Sequence, residues 1–129
     1  MKLIDTNVFL ELLLGRKGAS AAGVFLGRVS RGEEDAVVTH FALHSIEAIL
    51  DRAKVGIAPF LRNVEQSAGL LVYDTTLSDE SAASVLRDDL GLDFDDALQY
   101  FVARKLGAAE IVSFDRHFDG LDIPRSEPS

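Results

Sequence analysis

The sequence predicts an α/β fold, a three-layer α/β/α sandwich around a mostly parallel sheet of four to five strands. Short β-branched or aliphatic runs of strand length recur along the chain, and longer segments with apolar residues at helical spacing stand between them. Often two helical segments fill one connection, as the crossovers between parallel strands require. No repeat, low-complexity segment or linker interrupts the pattern, so we expect a single domain over residues 1–129.

The chain begins with the strand on which the functional prediction depends. Leu3 and Ile4 form a short apolar run that stops at Asp5, and apolar residues at helical spacing follow at once. This pattern predicts a buried strand and then a helix that opens at Thr6 or Asn7. Ligands of parallel α/β sheets bind beyond the carboxyl ends of the strands, so Asp5 is expected to face the ligand crevice.

The same alternation continues through the first half of the chain. A helix is predicted over residues 19–30, a strand over 36–39, a helix from about 40 to 54, and a short helix with Pro59 in its first turn. Within the helix over 19–30, Val24 is expected to be buried.

The second half is predicted to hold two further main strands. We expect strands over 70–73 and 110–113 and helices over 79–90 and 93–106, with Val85 buried and Gly107 ending the last helix. The segment 121–124 is expected to form at most a short edge strand, and residues 125–129 a loose tail.

Composition narrows the class of protein. An apolar share of 47% is that of a globular chain, and the absence of Cys excludes disulfides, thiolate metal sites and cysteine nucleophiles. There is no basic segment followed by a long apolar stretch, so the expectation is a soluble cytoplasmic protein without a membrane span. The net charge of −8 leaves the partner class open, because cations bound in an acidic pocket offset such charge.

Four acids stand at comparable places. Asp5 and Asp115 each follow a strand, Glu47 lies within the helix after the second strand, and Asp96 lies near the start of the helix over 93–106. Carboxylates that converge without Lys or Arg repel one another, which implies raised pKa values or bound cations. Oxygen-only ligands suit hard ions such as Mg²⁺ or Mn²⁺.

Each acid also has an ordinary structural interpretation. Asp5 and Asp93 are good helix caps, Glu47 is typical of a solvated helix surface, and Asp115 of a turn. The interpretation of any one acid therefore stays open on this basis, and only the set of four favours a shared site.

Other kinds of site are less well supported. His40, His44 and Glu47 fall on one helical face, but no HExxH pattern supports zinc there, and His117 is expected at the surface or at the cleft rim. No GxGxxG, GxxxxGK[ST] or GxSxG motif is present. Asn7 stands where an aspartyl-phosphate phosphatase of the haloacid-dehalogenase type needs a second Asp.

Four motifs occur in register along the chain: LIDTN at 3–7, SIEAIL at 45–50, DFDDALQYFVARKLGA at 93–108 and IVSFDRHFD at 111–119. Together they resemble the PIN-domain family, and especially its small single-domain members, the VapC-type toxins. The resemblance covers nearly the whole chain and implies a divalent-metal-dependent endoribonuclease. The alternative is a catalytically weak PIN-like module that binds RNA or protein.

The resemblance also implies roles for individual residues. Asp5, Glu47, Asp96 and Asp115 match the family's catalytic acids, with Asp5, Asp96 and Asp115 as ligands of Mg²⁺ or Mn²⁺. Thr6, Asn7 and Ser113 match small polar residues that orient the acids, and Asp93 is either an outer ligand or only a cap. In the doublet Asp95-Asp96 the family pattern favours Asp96, and helical spacing turns Asp95 away from Asp93 and Asp96.

Partners follow from the resemblance as well. An RNA substrate, a cognate antitoxin that blocks the cleft, and a homodimer are expected. Phe41, Leu43, Phe60 and Leu61 are apolar candidates for such a surface, although their helical spacing is more typical of core.

Overall fold

Five short strands and six helices make up the fold. The computed structural model describes residues 1–129. The strands are β1 (Lys2–Ile4), β2 (Ala36–Thr39), β3 (Leu70–Tyr73), β4 (Glu110–Val112) and β5 (Arg125–Ser126). The helices are α1 (Thr6–Leu13), α2 (Ala19–Ser30), α3 (His40–Arg52), α4 (Ile57–Gln66), α5 (Leu77–Leu90) and α6 (Phe94–Leu106), with one 3₁₀ turn at Arg116–Phe118.

The strands form one sheet in the spatial order β3-β2-β1-β4-β5, and every neighbouring pair is parallel. The first strand is therefore central, with β2 on one side and β4 on the other. In the pairing with β4, Ile4 lies opposite Val112. The residues that follow these two strands consequently emerge side by side at the carboxyl edge of the sheet.

The sheet divides the core into two clusters, because side chains alternate between the faces of a strand. Ile4 and Val112 pack against α1 to α4, whereas Leu3 and Ile111 pack against α6 and Phe118. The side chains of Leu3 and Ile4 are both fully buried, which contributes about 1.5–3 kcal/mol each. These layers confirm the predicted α/β/α sandwich.

Local capping explains where the helices begin and end. Asp93 caps α6 by accepting a hydrogen bond from the backbone N–H of Asp96 at 2.9 Å, and Gly107 ends the helix with a left-handed φ of 71°. Helix α5 begins two residues earlier than predicted. The reason is a reciprocal capping box in which Thr76 and Asp79 each accept the other's backbone N–H.

The predicted loose tail at 125–129 is wrong. Strand β5 lies inside that segment and pairs with β4, so the edge strand comes later than the predicted 121–124. Arg125 holds it in place by donating to the carbonyl of Ser113 at 2.8 Å and to Asp119 at 2.7 Å. Asp119 and Ser113 precede Arg125 by 6 and 12 positions, and composition alone does not reveal that the fold brings them into contact.

Several burial predictions also need correction. Val24 is 56% exposed and Val85 is 60% exposed, although both were expected in the core. Leu43 and Phe60 are buried in the core, and Phe60 also lines an apolar groove between α1, α2 and α4. None of the helices is long and apolar enough to cross a lipid bilayer.

Candidate active site

Asp5 stands at the carboxyl end of β1 and is only 5% exposed. It occupies the N-cap position of α1, but its side chain makes no capping hydrogen bond. Oδ2 of Asp5 instead accepts a hydrogen bond from Ser113 Oγ at 2.7 Å. The Asp5 carboxyl group is therefore directed across the sheet towards the end of β4. Asp5 is the N-cap of α1 by its backbone position only, and its side chain does not act as a cap.

Ser113 is the centre of a small hydrogen-bond network. Its Oγ accepts a hydrogen bond from Asn7 Nδ2 at 3.2 Å and another from the backbone N–H of Asp115 at 2.9 Å. Asn7 is itself held in place, because its Oδ1 accepts a hydrogen bond from the backbone N–H of Phe114 at 3.3 Å. Asn7 and Ser113 therefore support Asp5, while Thr6 Oγ1 is buried without a hydrogen-bond partner.

Asp96 and Asp115 meet through His117. Nδ1 of His117 lies 3.1 Å from Asp96 Oδ2 and 3.0 Å from Asp115 Oδ2. The hydrogen bond to Asp96 and the charge of Asp115 raise the pKa of the His117 imidazole, which favours its cationic form. Asp115 also accepts the backbone N–H of His117 through Oδ1 at 3.0 Å. His117 is exposed, as expected, and it links two of the predicted acids.

Burial raises the pKa of two acids in this cluster. It is the largest cause for Asp96, whose pKa rises to about 6 with Asp93 and Asp5 adding charge repulsion. Burial also raises the pKa of Asp5, against the lowering effect of the hydrogen bond from Ser113. Asp5 and Asp96 therefore share one poorly solvated region with little compensating positive charge.

Asp95 is directed into this region, contrary to the prediction that it turns away. Its Oδ1 is buried without a hydrogen-bond partner. Burial raises the pKa of Asp95 to about 7, and Asp5 is the largest of the charges that add to the shift, followed by Asp96 and Asp93. Helical spacing did not reveal this, because the rotation of α6 about its axis depends on packing against the sheet.

Gln99 is a second residue that the sequence prediction missed. It is fully buried one turn after Asp95, and neither amide atom has a hydrogen-bond partner. It follows Asp95 by four positions, so the two side chains lie on one face of α6. The available signal was a Gln within the apolar run Ala97-Leu98-Gln99-Tyr100.

The remaining predicted site residues are less closely connected. Glu47 is half-buried on α3 and forms no ion pair, and Asp93 is exposed in its capping role. No three Asp, Glu or His side chains converge on one point that could hold a metal ion. The ligand set Asp5, Asp96 and Asp115 and the role of Glu47 accordingly stay predictions.

His40 and His44 pack against each other at the start of α3. Their ring centroids lie 4.4 Å apart, and Nδ1 of His40 lies 3.7 Å from Asp74 Oδ1.

The chemistry of the acidic region fits a hard divalent cation. Asp5, Asp95, Asp96 and Asp115 provide carboxylate oxygens, and His117 is the only cationic side chain that pairs with any of them. Two oxygen atoms of this region, Thr6 Oγ1 and Asp95 Oδ1, are buried without a hydrogen-bond partner. Oxygen ligands with excess negative charge are what Mg²⁺ and Mn²⁺ prefer.

The chain matches one family model in sequence and resembles several solved structures in fold. The PIN domain family model matches residues 2–124. The structure of Mycobacterium tuberculosis VapC20, a toxin that cleaves the sarcin-ricin loop, is similar with a TM-score of 0.80 at 20% identity, over 99% of this chain and 100% of that one. A chain of a toxin-antitoxin complex from Klebsiella pneumoniae is similar with a TM-score of 0.73 at 14% identity, over 100% and 98%.

A third structure, FitAcB from Neisseria gonorrhoeae, is similar with a TM-score of 0.65 at 15% identity, over 99% of this chain and 98% of that one. At these identities the structural similarity establishes the fold alone. No curated protein sequence matches the chain.

Proposed function

The chain belongs to the PIN-domain family, and we propose that it is a divalent-metal-dependent endoribonuclease that hydrolyses RNA phosphodiester bonds. The observation that carries this proposal is the linked set of carboxyl groups at the carboxyl edge of β1 and β4. Asp5 is tied through Ser113 to the turn that bears Asp115, and Asp115 is tied through His117 to Asp96. The similar VapC20 toxin, which cleaves the sarcin-ricin loop, supports the choice of a nuclease function.

In this proposal Asp5, Asp96 and Asp115 hold Mg²⁺ or Mn²⁺, and Glu47 completes the set of catalytic acids. When bound, the ion would supply Lewis acidity that activates water for in-line attack and stabilises the leaving oxygen. Ser113 keeps one oxygen of Asp5 occupied by a hydrogen bond, which leaves the other free to bind.

We propose that the binding of the metal ion displaces His117 from its two carboxylate partners. Its ring stands between Asp96 and Asp115 and is 61% exposed, so it can leave both carboxyl groups when a stronger cation arrives. A displaced imidazolium at the rim can then contact a phosphate of the substrate. No nucleophilic side chain is required.

The direct test is cleavage of RNA by the purified protein with Mg²⁺ or Mn²⁺, compared with EDTA and with the Asp5→Asn variant. Cleavage is expected with the metal alone. Asp89→Asn is the matched control, because Asp89 is an exposed acid on α5 without an ion pair. Equal cleavage in the metal, EDTA and Asp5→Asn samples would contradict the proposal. No cleavage in any sample would favour the alternative, a PIN-like module that binds RNA or protein.

An antitoxin protein is the proposed partner, and an apolar groove between α1, α2 and α4 is its proposed docking site. The groove has a volume of about 500 Å³ and is lined mainly by apolar side chains, including Phe9, Leu12, Leu13, Leu26, Pro59 and Phe60. Leu12 is 39% exposed, so apolar surface there is open to a partner. The similar chain from Klebsiella pneumoniae belongs to a toxin-antitoxin complex, which supports this kind of partner.

Co-expression with the product of an adjacent small reading frame tests the docking site. Leu26→Arg is expected to abolish co-purification, because it places a charge in the groove. Val24→Arg is the matched control on the same helix, since Val24 is exposed and does not line the groove. Complexes of equal strength with both variants would contradict the assignment.

We also propose that the chain forms a homodimer and is located in the cytoplasm. The homodimer follows from the family resemblance, and the location follows from the sequence composition. The homodimer is checked by light scattering of the purified chain, and a mass of one 14.0 kDa chain at micromolar concentration would contradict it.

A further inference from the structure

Two of the eight phenylalanine side chains lie outside the hydrophobic core. Six pack within or against the two core clusters, whereas Phe41 and Phe94 belong to neither. Their rings contact each other instead, with centroids 5.9 Å apart and an interplanar angle of 75°. Both side chains of this aromatic pair are only half-buried. A partly exposed pair of rings outside the core is a candidate for contact with a ligand.

The aromatic pair lies at the carboxyl edge of the sheet, beside the acidic region. Phe41 is the second residue of α3, which follows β2 directly, and β2 is the neighbour of β1. Phe94 is the first residue of α6 and stands in the chain between Asp93 and Asp95. The pair therefore borders the acidic region on the side of β2.

The opposite border of the acidic region carries positive charge. Strand β4 lies on the other side of β1, and the 3₁₀ turn that follows it contains Arg116 and His117. Both side chains are exposed. Cationic side chains contact the phosphates of a nucleic acid, and aromatic rings stack on its bases. The two borders of the acidic region thus offer the two kinds of group that bind a nucleic acid strand.

The two rings also have a suitable arrangement for stacking. An edge-to-face contact uses only one face of one ring, so the other ring faces are not used by the pair itself. Unpaired bases of RNA stack on aromatic side chains, and the contact tolerates any base because every base has a π-face. Bases inside a double helix are already stacked on their neighbours. An aromatic pair at this border therefore favours single-stranded RNA, such as a loop.

We propose that Phe41 and Phe94 form a stacking subsite, which binds one unpaired RNA base next to the phosphate that is cleaved at the acidic region. The subsite positions the strand and takes no part in bond cleavage. An RNA base is favoured over a protein as the occupant, because the rings adjoin the acids and line no part of the apolar groove between α1, α2 and α4. This role rests on the proposed function, because it names the part of the RNA that the same site recognises.

Tryptophan fluorescence tests the stacking subsite directly, because the chain contains no Trp of its own. Phe94→Trp replaces one ring of the pair with a fluorescent one. Phe101→Trp is the matched control, since Phe101 is a half-buried residue of the same helix that packs against the core. Single-stranded oligoadenylate with Mn²⁺, read on mixing, is expected to quench Phe94→Trp and not Phe101→Trp. An abasic oligonucleotide of the same length offers phosphates without bases and is expected to leave both variants unchanged.

The affinity for the same oligoadenylate gives a second measurement. Phe41→Leu and Phe94→Leu keep an apolar side chain but remove the ring, so we expect binding about 5- to 100-fold weaker by fluorescence anisotropy of labelled RNA. Phe94→Tyr keeps the ring and should bind as the unmodified chain does. Phe101→Leu makes the same change against the core, and it should lower the melting temperature without changing the RNA affinity.

Two results would overturn the stacking subsite while leaving the proposed function intact. One is RNA that binds the unmodified chain but quenches Phe94→Trp no more than the abasic oligonucleotide does; Phe41→Trp gives a second reading if Phe94→Trp does not fold. The other is a fluorescence change caused by a co-purified antitoxin and not by RNA, which would make the pair a protein contact. An unmodified chain that neither binds nor cleaves RNA would instead contradict the proposed function itself, and the subsite with it.

Discussion

Ser113 Oγ donates a hydrogen bond to Asp5 Oδ2 at 2.7 Å, although the two residues are 108 positions apart in the chain. The contact follows from the register of the central strands. Ile4 lies opposite Val112 in the parallel pair β1–β4, so the next residue on each strand emerges at the same edge of the sheet. A slip of one residue would send the two side chains to opposite faces and separate them.

Replacing Ser113 with Ala should lower RNA cleavage about 10- to 100-fold, because Asp5 loses the donor that orients it. The free energy of unfolding should fall by about 1 kcal/mol, the net value of one hydrogen bond. Cleavage rates and chemical denaturation measure the two effects. Ser84→Ala is the control, since Ser84 is exposed on α5 and donates only to the carbonyl of Ser81. Unchanged cleavage in Ser113→Ala would contradict the supporting role.

Stability should depend on pH through the acidic cluster. The folded chain raises the pKa of Asp95 to about 7 and that of Asp96 to about 6, from an ordinary 3.8. Between these values the folded state binds protons that the unfolded state has released, so stability is highest near about pH 4 and falls steadily as the pH rises from there to about 7. Asp79 acts at lower pH. Its pKa is lowered, chiefly by Lys105, so its contribution is present above 3.8 and is lost on further acidification.

Melting curves without metal across pH 4 to 8 check this dependence, and Asp95→Asn identifies its source. The variant should gain almost nothing near pH 4, where the carboxyl is largely neutral in both the folded and the unfolded state, and the gain should grow to about 2–4 kcal/mol at pH 8, where the native carboxyl is forced to ionise. Asp89→Asn, at an exposed position, should leave the profile unchanged. A profile for Asp95→Asn that parallels that of the unmodified chain would show that Asp95 does not carry the effect.

Glu47 is the predicted catalytic acid that the structure connects least to the others, because it is half-buried on α3 and forms no ion pair. Glu47→Gln is expected to lower cleavage at least about tenfold, as the loss of an acid that acts on bound metal should do. Glu65→Gln on α4 is the control, since Glu65 is exposed and also lies outside the ion pairs. Equal rates in the two variants would remove Glu47 from the site while leaving Asp5, Asp96 and Asp115 in place.

Gly69 should tolerate no side chain. A Cβ at this position would overlap the carbonyl oxygen of Glu34 and lie 2.8 Å from that of Val29, and both are backbone atoms that cannot move independently. Gly69→Ala should therefore cost about 3 kcal/mol of stability, measured by chemical denaturation. Gly23→Ala makes the same change inside α2, where Leu12 Cδ1 is at an ordinary 3.4 Å, and should be neutral or stabilising by roughly 0.5–1 kcal/mol. Similar effects of the two changes would contradict this account.

The sequence alone determined the fold class, the main strands and three of the acids that the structure brings together. Hydrophobic periodicity and capping residues act over a few positions, so Leu3-Ile4 and the segment after Asp93 indicate their secondary structure without knowledge of the rest. Asp5 and Asp115 were found from the ends of two parallel strands, which meet at one edge of the sheet, whereas the resemblance to the PIN-domain family favoured Asp96 within its doublet.

Only the tertiary structure decided which side chains face one another within that edge. The rotation of α6 against β1 turned Asp95 and Gln99 inward, and the 3₁₀ turn after β4 carried His117 between Asp96 and Asp115. The pairing of β5 with β4 likewise depended on partners for Arg125 that come together only on folding. The physical reason is common to all three. A side chain's orientation within a site is set by packing between elements that are distant in sequence, and local patterns carry no information about that packing.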